Sequence, residues 1–111
     1  MSLNKLLPLT ETTFFIMVSL IEPSHGYAVM QRVEELSYGR VRIAAGTMYG
    51  ATENLLKQKL IREVPGDDKR RRVYQLTDNG KEVLQFETER LKQLVVIADK
   101  LLGENDINET I

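Results

Sequence analysis

Four cations stand side by side at Lys69-Arg70-Arg71-Arg72, directly after the turn residues Pro65-Gly66-Asp67-Asp68. Concentrated charge of one sign at a chain reversal is chemistry for a polyanion. Each phosphate such a side chain neutralises releases counterions, so the contact is salt-dependent. The plainer reading is a solvated charge run on a hairpin. Alternation along a strand puts Arg70 and Arg72 on one side and Arg71 on the other. Earlier in the chain, Gly46, Thr47, Gly50, Glu53, Asn54 and Lys57 fall on one face of a 3.6-residue wheel. Asn can bond an adenine edge, Glu can accept from cytosine, and Thr can meet a thymine methyl. The glycines keep that face small enough to approach a groove. Gly50 inside a helix costs about 1 kcal/mol against Ala, so it needs a packing or functional reason.

Other chemistry lacks parts. The chain has no cysteine and a single histidine, His25. A disulfide framework, a thiolate nucleophile and a multi-histidine metal site within one chain are excluded. There is no phosphate-binding glycine loop and no defensible triad. Catalysis at His25 is weaker than its structural reading, a helix start beside Gly26 that permits tight packing. No catalytic residue is assigned, and no cofactor or metal is expected. Among the tyrosines, Tyr27 packs or contacts backbone phosphate, Tyr49 is expected on a phosphate, and Tyr74 is expected to brace the hairpin.

The 111 residues suit one domain, or one domain with a long appended helix. Apolar residues at 42% and charged residues at 28% are a globular balance and argue against wholesale disorder. A chain this short buries a limited fraction of its surface, and a second copy could complete the core. The first ten residues are too weak for a secretory signal, and the longest apolar run, residues 14–21, is too short to span a bilayer. A cytoplasmic location without membrane contact is expected. The net charge of −1 argues against a nucleic-acid partner, but its distribution does not. Residues 57–72 hold seven cations against three acids, whereas Glu104, Asp106 and Glu109 leave the tail purely acidic.

The elements that must position these residues follow from periodicity and punctuation. Residues 1–9 form an arm with Leu3, Leu6, Leu7 and Leu9. Thr10 is an N-cap for a first helix to about Ile21, apolar nearly all round and ended by Pro23. A second helix spans about residues 25–37, with Val29, Met30, Val33 and Leu36 on its apolar face. Residues 40–44 alternate weakly and suit a very short strand. A third helix covers about residues 45–58, with Met48, Thr52, Leu55 and Leu56 inward. Residues 60–64 and 72–76 read as antiparallel strands. A fourth helix runs to about Leu102, followed by a frayed acidic end. Its near-heptad stripe, Leu84, Leu91, Leu94, Val95, Ala98, Leu101 and Leu102, is too apolar to leave in water and is expected to form a dimer interface. Phe14, Phe15, Met17 and Phe86 are candidates for lining an effector pocket, beside the plainer reading of core or interface.

This order of helices, hairpin and basic turn is a mostly α (α+β) winged helix-turn-helix with a long C-terminal dimerisation helix. Residues 1–9 are the arm, 10–80 the winged-helix domain, and 81–111 the dimerisation helix and tail. The expected partners are double-stranded DNA and a second copy of the chain. The rival reading is a winged-helix module that binds protein through the same surfaces.

Three motifs, in order and suitably spaced, are similar to the signatures of one family: His25-Gly26-Tyr27, Gly46-Thr47-Met48-Tyr49 and Tyr74-Gln75-Leu76-Thr77-Asp78-Asn79-Gly80. Together they resemble the PadR family of bacterial transcriptional regulators, in its short, single-C-terminal-helix form. The resemblance spans about residues 10–102. It implies a homodimer held by the last helix and the first, a palindromic operator, and repression. It also implies, in some members, release by a small aromatic or cationic lipophilic effector. This chain departs from the pattern at Gly50, where the family often has Pro, and at Lys59, where it often has Gly. Glu53 is a further departure, an acid on the groove face. Without tryptophan, the paired-Trp drug sandwich of one branch cannot form.

Overall fold

A computed structural model describes residues 3–110, with side chains for residues 5–103. A 3-10 turn at Leu3–Leu6 precedes α1 (Glu11–Ser19), β1 (Ser24–His25), α2 (Gly26–Leu36), α3 (Ala45–Lys57), β2 (Ile61–Val64), β3 (Val73–Leu76) and α4 (Asp78–Thr110). The mostly helical winged-helix architecture expected from the sequence is the one observed.

Local chemistry fixes most boundaries. Thr10 caps α1, its hydroxyl accepting from the Thr13 N–H at 3.1 Å. The helix stops at Ser19 rather than Ile21, because Leu20 and Ile21 donate to Met17 and Val18 in a tightened last turn. His25 caps α2 through Nδ1, which accepts from the Ala28 N–H at 3.2 Å. Thr77 stands before α4, its hydroxyl accepting from the Gly80 N–H at 3.0 Å and donating to the Lys59 carbonyl at 2.7 Å.

The sheet is antiparallel in the order β1-β3-β2, with Glu63 opposite Tyr74 on one side of β3 and Ser24 opposite Tyr74 on the other. The short strand expected at residues 40–44 does not form. The free edge of β3 is taken by Ser24–His25 instead. Residues 40–44 are held as a loop by Ser37, whose hydroxyl accepts from the Val41 N–H at 2.9 Å, while Ile43 enters the core.

Ile16 and Met17 of α1, with Leu20 just after it, meet Val29 and Val33 of α2, Met48 and Leu55 of α3, and Leu60, Ile61 and Leu76 at the hairpin. Val83 and Leu84 close this core from α4. Leu84, expected in the dimer stripe, is thus 7% exposed and already packed within its own chain. Beyond the core α4 continues as a rod: every residue from 91 to 102 is exposed in the single chain, and the helical backbone reaches Thr110 where fraying was expected from residue 104.

Glu87 interrupts the apolar stripe of α4 and is 1% exposed. Its carboxylate accepts from the Leu9 N–H at 2.7 Å and from Arg90 Nε at 2.5 Å. Arg90 first, and the Leu9 N–H as well, hold this carboxyl below its ordinary range against the opposing effect of burial. The N-terminal arm is therefore docked by a buried anion. A carboxyl with a depressed native pKa stabilises the fold fully above its unfolded-state value, and that stability is lost as pH falls through the native value. Glu87→Gln, which removes one charge and leaves Arg90 and the Leu9 N–H without their anion, is expected to lower stability by about 1–3 kcal/mol at neutral pH. The difference from the parent should shrink in acid. Urea melts at several pH values check this; a gap that persists unchanged well below the carboxylate range would refute it.

Candidate nucleic-acid interface

α3 turns Met48, Thr52 and Leu55 into the core, so Gly46, Thr47, Gly50, Asn54 and Lys57 are exposed on its other side, with Glu53 half-buried at the flank. A Cβ at Gly46 or Gly50 would meet nothing within 4 Å. Neither glycine is demanded by the chain's own packing. Ala44, at the start of α3, has no side-chain cap, so the first N–H groups of this helix are open to an outside acceptor. Nothing in the periodicity of α3 points to this feature. Its signal was the absence of Ser, Thr, Asp or Asn at residues 43–45.

The hairpin β2–β3 carries the basic turn to the same side. Asp68 organises its tip, accepting from the Arg70 N–H through Oδ1 at 2.9 Å and from the Arg71 N–H through its carbonyl at 3.2 Å. Between α2, α3 and this turn lies a groove of ≈ 590 Å³, lined among others by Tyr27, Tyr49, Tyr74 and Arg70 to Arg72. Tyr27 and Tyr49 are 65% and 67% exposed on its rim, whereas Tyr74 is buried at its floor. Burial, foremost, raises the Tyr74 hydroxyl above its usual pKa, with Arg72 opposing.

The four cations differ. Arg72 reaches Glu63 at 2.9 Å and Glu53 at 3.5 Å and lies over the Tyr74 ring, 5.4 Å from its centroid. The Glu63 hydrogen bond is the main cause that raises its already high pKa. Arg71 Nη1 is 3.1 Å from His25 Nε2. Lys69, Arg70 and Arg71 form no carboxylate pair among the described residues.

The junction with α4 explains the motif Tyr74 to Gly80. The Leu60 carbonyl accepts from the Thr77 N–H at 3.0 Å, and Leu76 donates to the Leu20 carbonyl at 2.8 Å. A Cβ at Gly80 would stand 2.1 Å from that Leu60 oxygen. Lys59 has φ 61°, a left-handed conformation that glycine adopts at less cost.

A family model described as "Transcriptional regulator PadR-like family" matches residues 16–86, more than half of the chain. The chain belongs to this family. A PadR-family regulator from Eggerthella lenta is 27% identical, with a TM-score of 0.67 over 82% of this chain and 80% of that one. A PadR-like regulator from Bacillus cereus is 21% identical, with a TM-score of 0.69 over 82% and 90%, a likeness of fold. RosR of H. salinarum is likewise similar in fold, at 23% identity and a TM-score of 0.65 over 88% and 98%. None of the curated proteins compared matches the chain significantly. As a PadR-like protein it is a transcriptional regulator with a winged helix.

Elsewhere the PadR-like chain has a cleft of ≈ 310 Å³ between the arm, α1 and α4, lined by Phe14, Phe15, Leu9, Leu91, Glu11, Glu87 and Arg90. Met17 and Phe86, expected beside Phe14 and Phe15, do not line it: Met17 is fully buried in the core and Phe86 is 38% exposed on α4. Among the described residues there is no group of metal-ligating side chains and no helix long and apolar enough to cross a membrane.

Proposed function

We propose that this PadR-like regulator is a homodimer that represses transcription from a palindromic operator, acting on double-stranded DNA in the cytoplasm. In each subunit α3 reads bases in the major groove through Thr47, Asn54 and Lys57, with Gly46 and Gly50 allowing close approach. The wing grips backbone through Lys69, Arg70 and Arg71, and Tyr27 and Tyr49 contact phosphates. The observation that carries this reading is a groove that α3 borders through Ala45 and Tyr49, α2 through Tyr27 and the basic turn through Arg70 to Arg72, while Gly46, Thr47, Gly50, Asn54 and Lys57 stay exposed on α3. The half-site centres should lie about one turn, roughly 10–10.5 base pairs, apart or a multiple of it. The deciding experiment is a salt-titrated binding assay on the protein's own upstream DNA and on random DNA. Replacing Lys69, Arg70 and Arg71 by Ala should weaken both and flatten the log–log salt slope by about 0.9 for each phosphate no longer neutralised. No binding by the parent would favour the protein-interaction rival, and sequence-independent binding would remove α3 from base reading.

Dimerisation is proposed through Leu91, Leu94, Val95, Ala98, Leu101 and Leu102. Of these, Leu94, Val95, Leu101 and Leu102 are each about half exposed on the projecting rod of α4. Glu at both Leu94 and Leu101 should give a monomer, or misfolded protein, where the parent sediments as a dimer. The parent's melting should depend on concentration. A parent that sediments as a monomer at micromolar concentration would dispose of this interface. The cleft beside Phe14 and Phe15 is the proposed seat of a small aromatic or lipophilic effector, next to the dimer face.

A further inference from the structure

Arg72 uses all three of its guanidinium nitrogens on the protein itself. Nε and Nη2 bond Glu63 Oε1 on β2 at 3.0 and 2.9 Å, and Nη1 meets Glu53 Oε1 on α3 at 3.5 Å. Its guanidinium carbon lies over the Tyr74 ring on β3, 5.4 Å from the centroid. The guanidinium is a rigid fork whose direction is set once its nitrogens are engaged. One side chain thereby ties together the helix proposed to read bases and both strands of the wing. Two carboxylates surround this single cation, so its charge is already matched before any DNA arrives.

We propose that Glu53 is a positioning residue, which fixes the angle of the wing against α3 through Arg72 and does not read a base. The proposal rests on the DNA-binding reading above and revises one part of it. A bare carboxylate on a face that meets phosphates repels them. Sharing Arg72 with Glu63, Glu53 has that repulsion reduced and gains a geometric effect. An exposed ion pair adds little stability by itself. The consequence lies in where Lys69, Arg70 and Arg71 stand when α3 is in the groove, because Arg72 is the residue that joins this run to β3.

The experiment compares the parent with Glu53→Gln, Arg72→Ala, their double variant and Arg72→Lys, on operator DNA and a set of single-base operator variants, across a salt series. Glu53→Gln and Arg72→Ala should each lower operator affinity about two- to fivefold. The double variant should be no weaker than the worse single one, since both remove the same interaction. Arg72→Lys, which keeps a cation between the acids, should recover most of the loss. Affinity ratios among the base variants should match the parent's in every case. Arg72→Ala should leave the salt slope unchanged. In the free protein, the Arg72 Nε–H resonance should shift on Glu53→Gln and on Glu63→Gln. Loss of preference at one base position in Glu53→Gln would make Glu53 a reader and overturn the proposal. So would a slope flattened by about 0.9 in Arg72→Ala, which would make Arg72 a phosphate ligand. A parent without sequence preference would instead overturn the DNA-binding reading, and the Nε–H resonance would still test the link between α3 and the wing.

Discussion

Gly80→Ala should destabilise the protein by at least about 3 kcal/mol, the upper end of the range for overpacking. A methyl group there would stand 2.1 Å from the Leu60 carbonyl oxygen and 2.9 Å from Leu76 Cδ2. The oxygen cannot withdraw, because it accepts the Thr77 N–H at 3.0 Å just before α4 begins. Nor can α4 shift alone, since Val83 and Leu84 one turn later belong to the core. A thermal melt should fall by roughly 10 °C or more for a domain of this size, and circular dichroism should show whether α4 is retained. A variant that melts within two or three degrees of the parent, at about that precision, would mean that the close approach of α4 to the hairpin is not what glycine serves here.

Gly50→Leu should have the opposite profile, with the fold kept and operator affinity reduced at least about thirtyfold, as expected when two base contacts of ~1–3 kcal/mol each are broken. A Cβ at Gly50 meets nothing within 4 Å, so the single chain has room for a side chain there. Gly50→Ala should even stabilise the free protein, by about 0.5–1 kcal/mol, because mid-helix glycine is entropically unfavourable. The larger side chain would hold α3 away from the bases while leaving the wing cations free. Binding to random DNA should therefore fall much less than binding to operator. Titrations on both DNAs, with stability and oligomeric state measured on the same samples, provide the check. Operator binding at the parent's level would remove α3 from the reading role. The two glycines separate what folding requires from what recognition requires.

The helices, the hairpin and the polarity of α3 are legible in the order of residues. Each is a local property. Thr10 marks a helix start by a hydroxyl that reaches the N–H three residues on, and the inward set Met48, Thr52 and Leu55 follows from a 3.6-residue period. The winged-helix class was legible because a basic turn between two short strands follows such a helix directly. The motif residues were legible as a pattern, but the reason for Gly80 was not.

The partners of these groups depend on packing. Ser24-His25 is too short to show alternation, and it became a strand because the edge of β3 was free beside it, whereas the better-patterned residues 40–44 were held by Ser37. Glu87 reads as one more acid on a long helix until its hydrogen bond with Leu9, 78 residues away, is seen. Arg72 and Glu53, each read from sequence as facing DNA, meet each other across 19 residues. Periodicity reports which face of an element is apolar. It carries no information on which distant group completes a hydrogen bond or an ion pair, because that depends on how the elements pack.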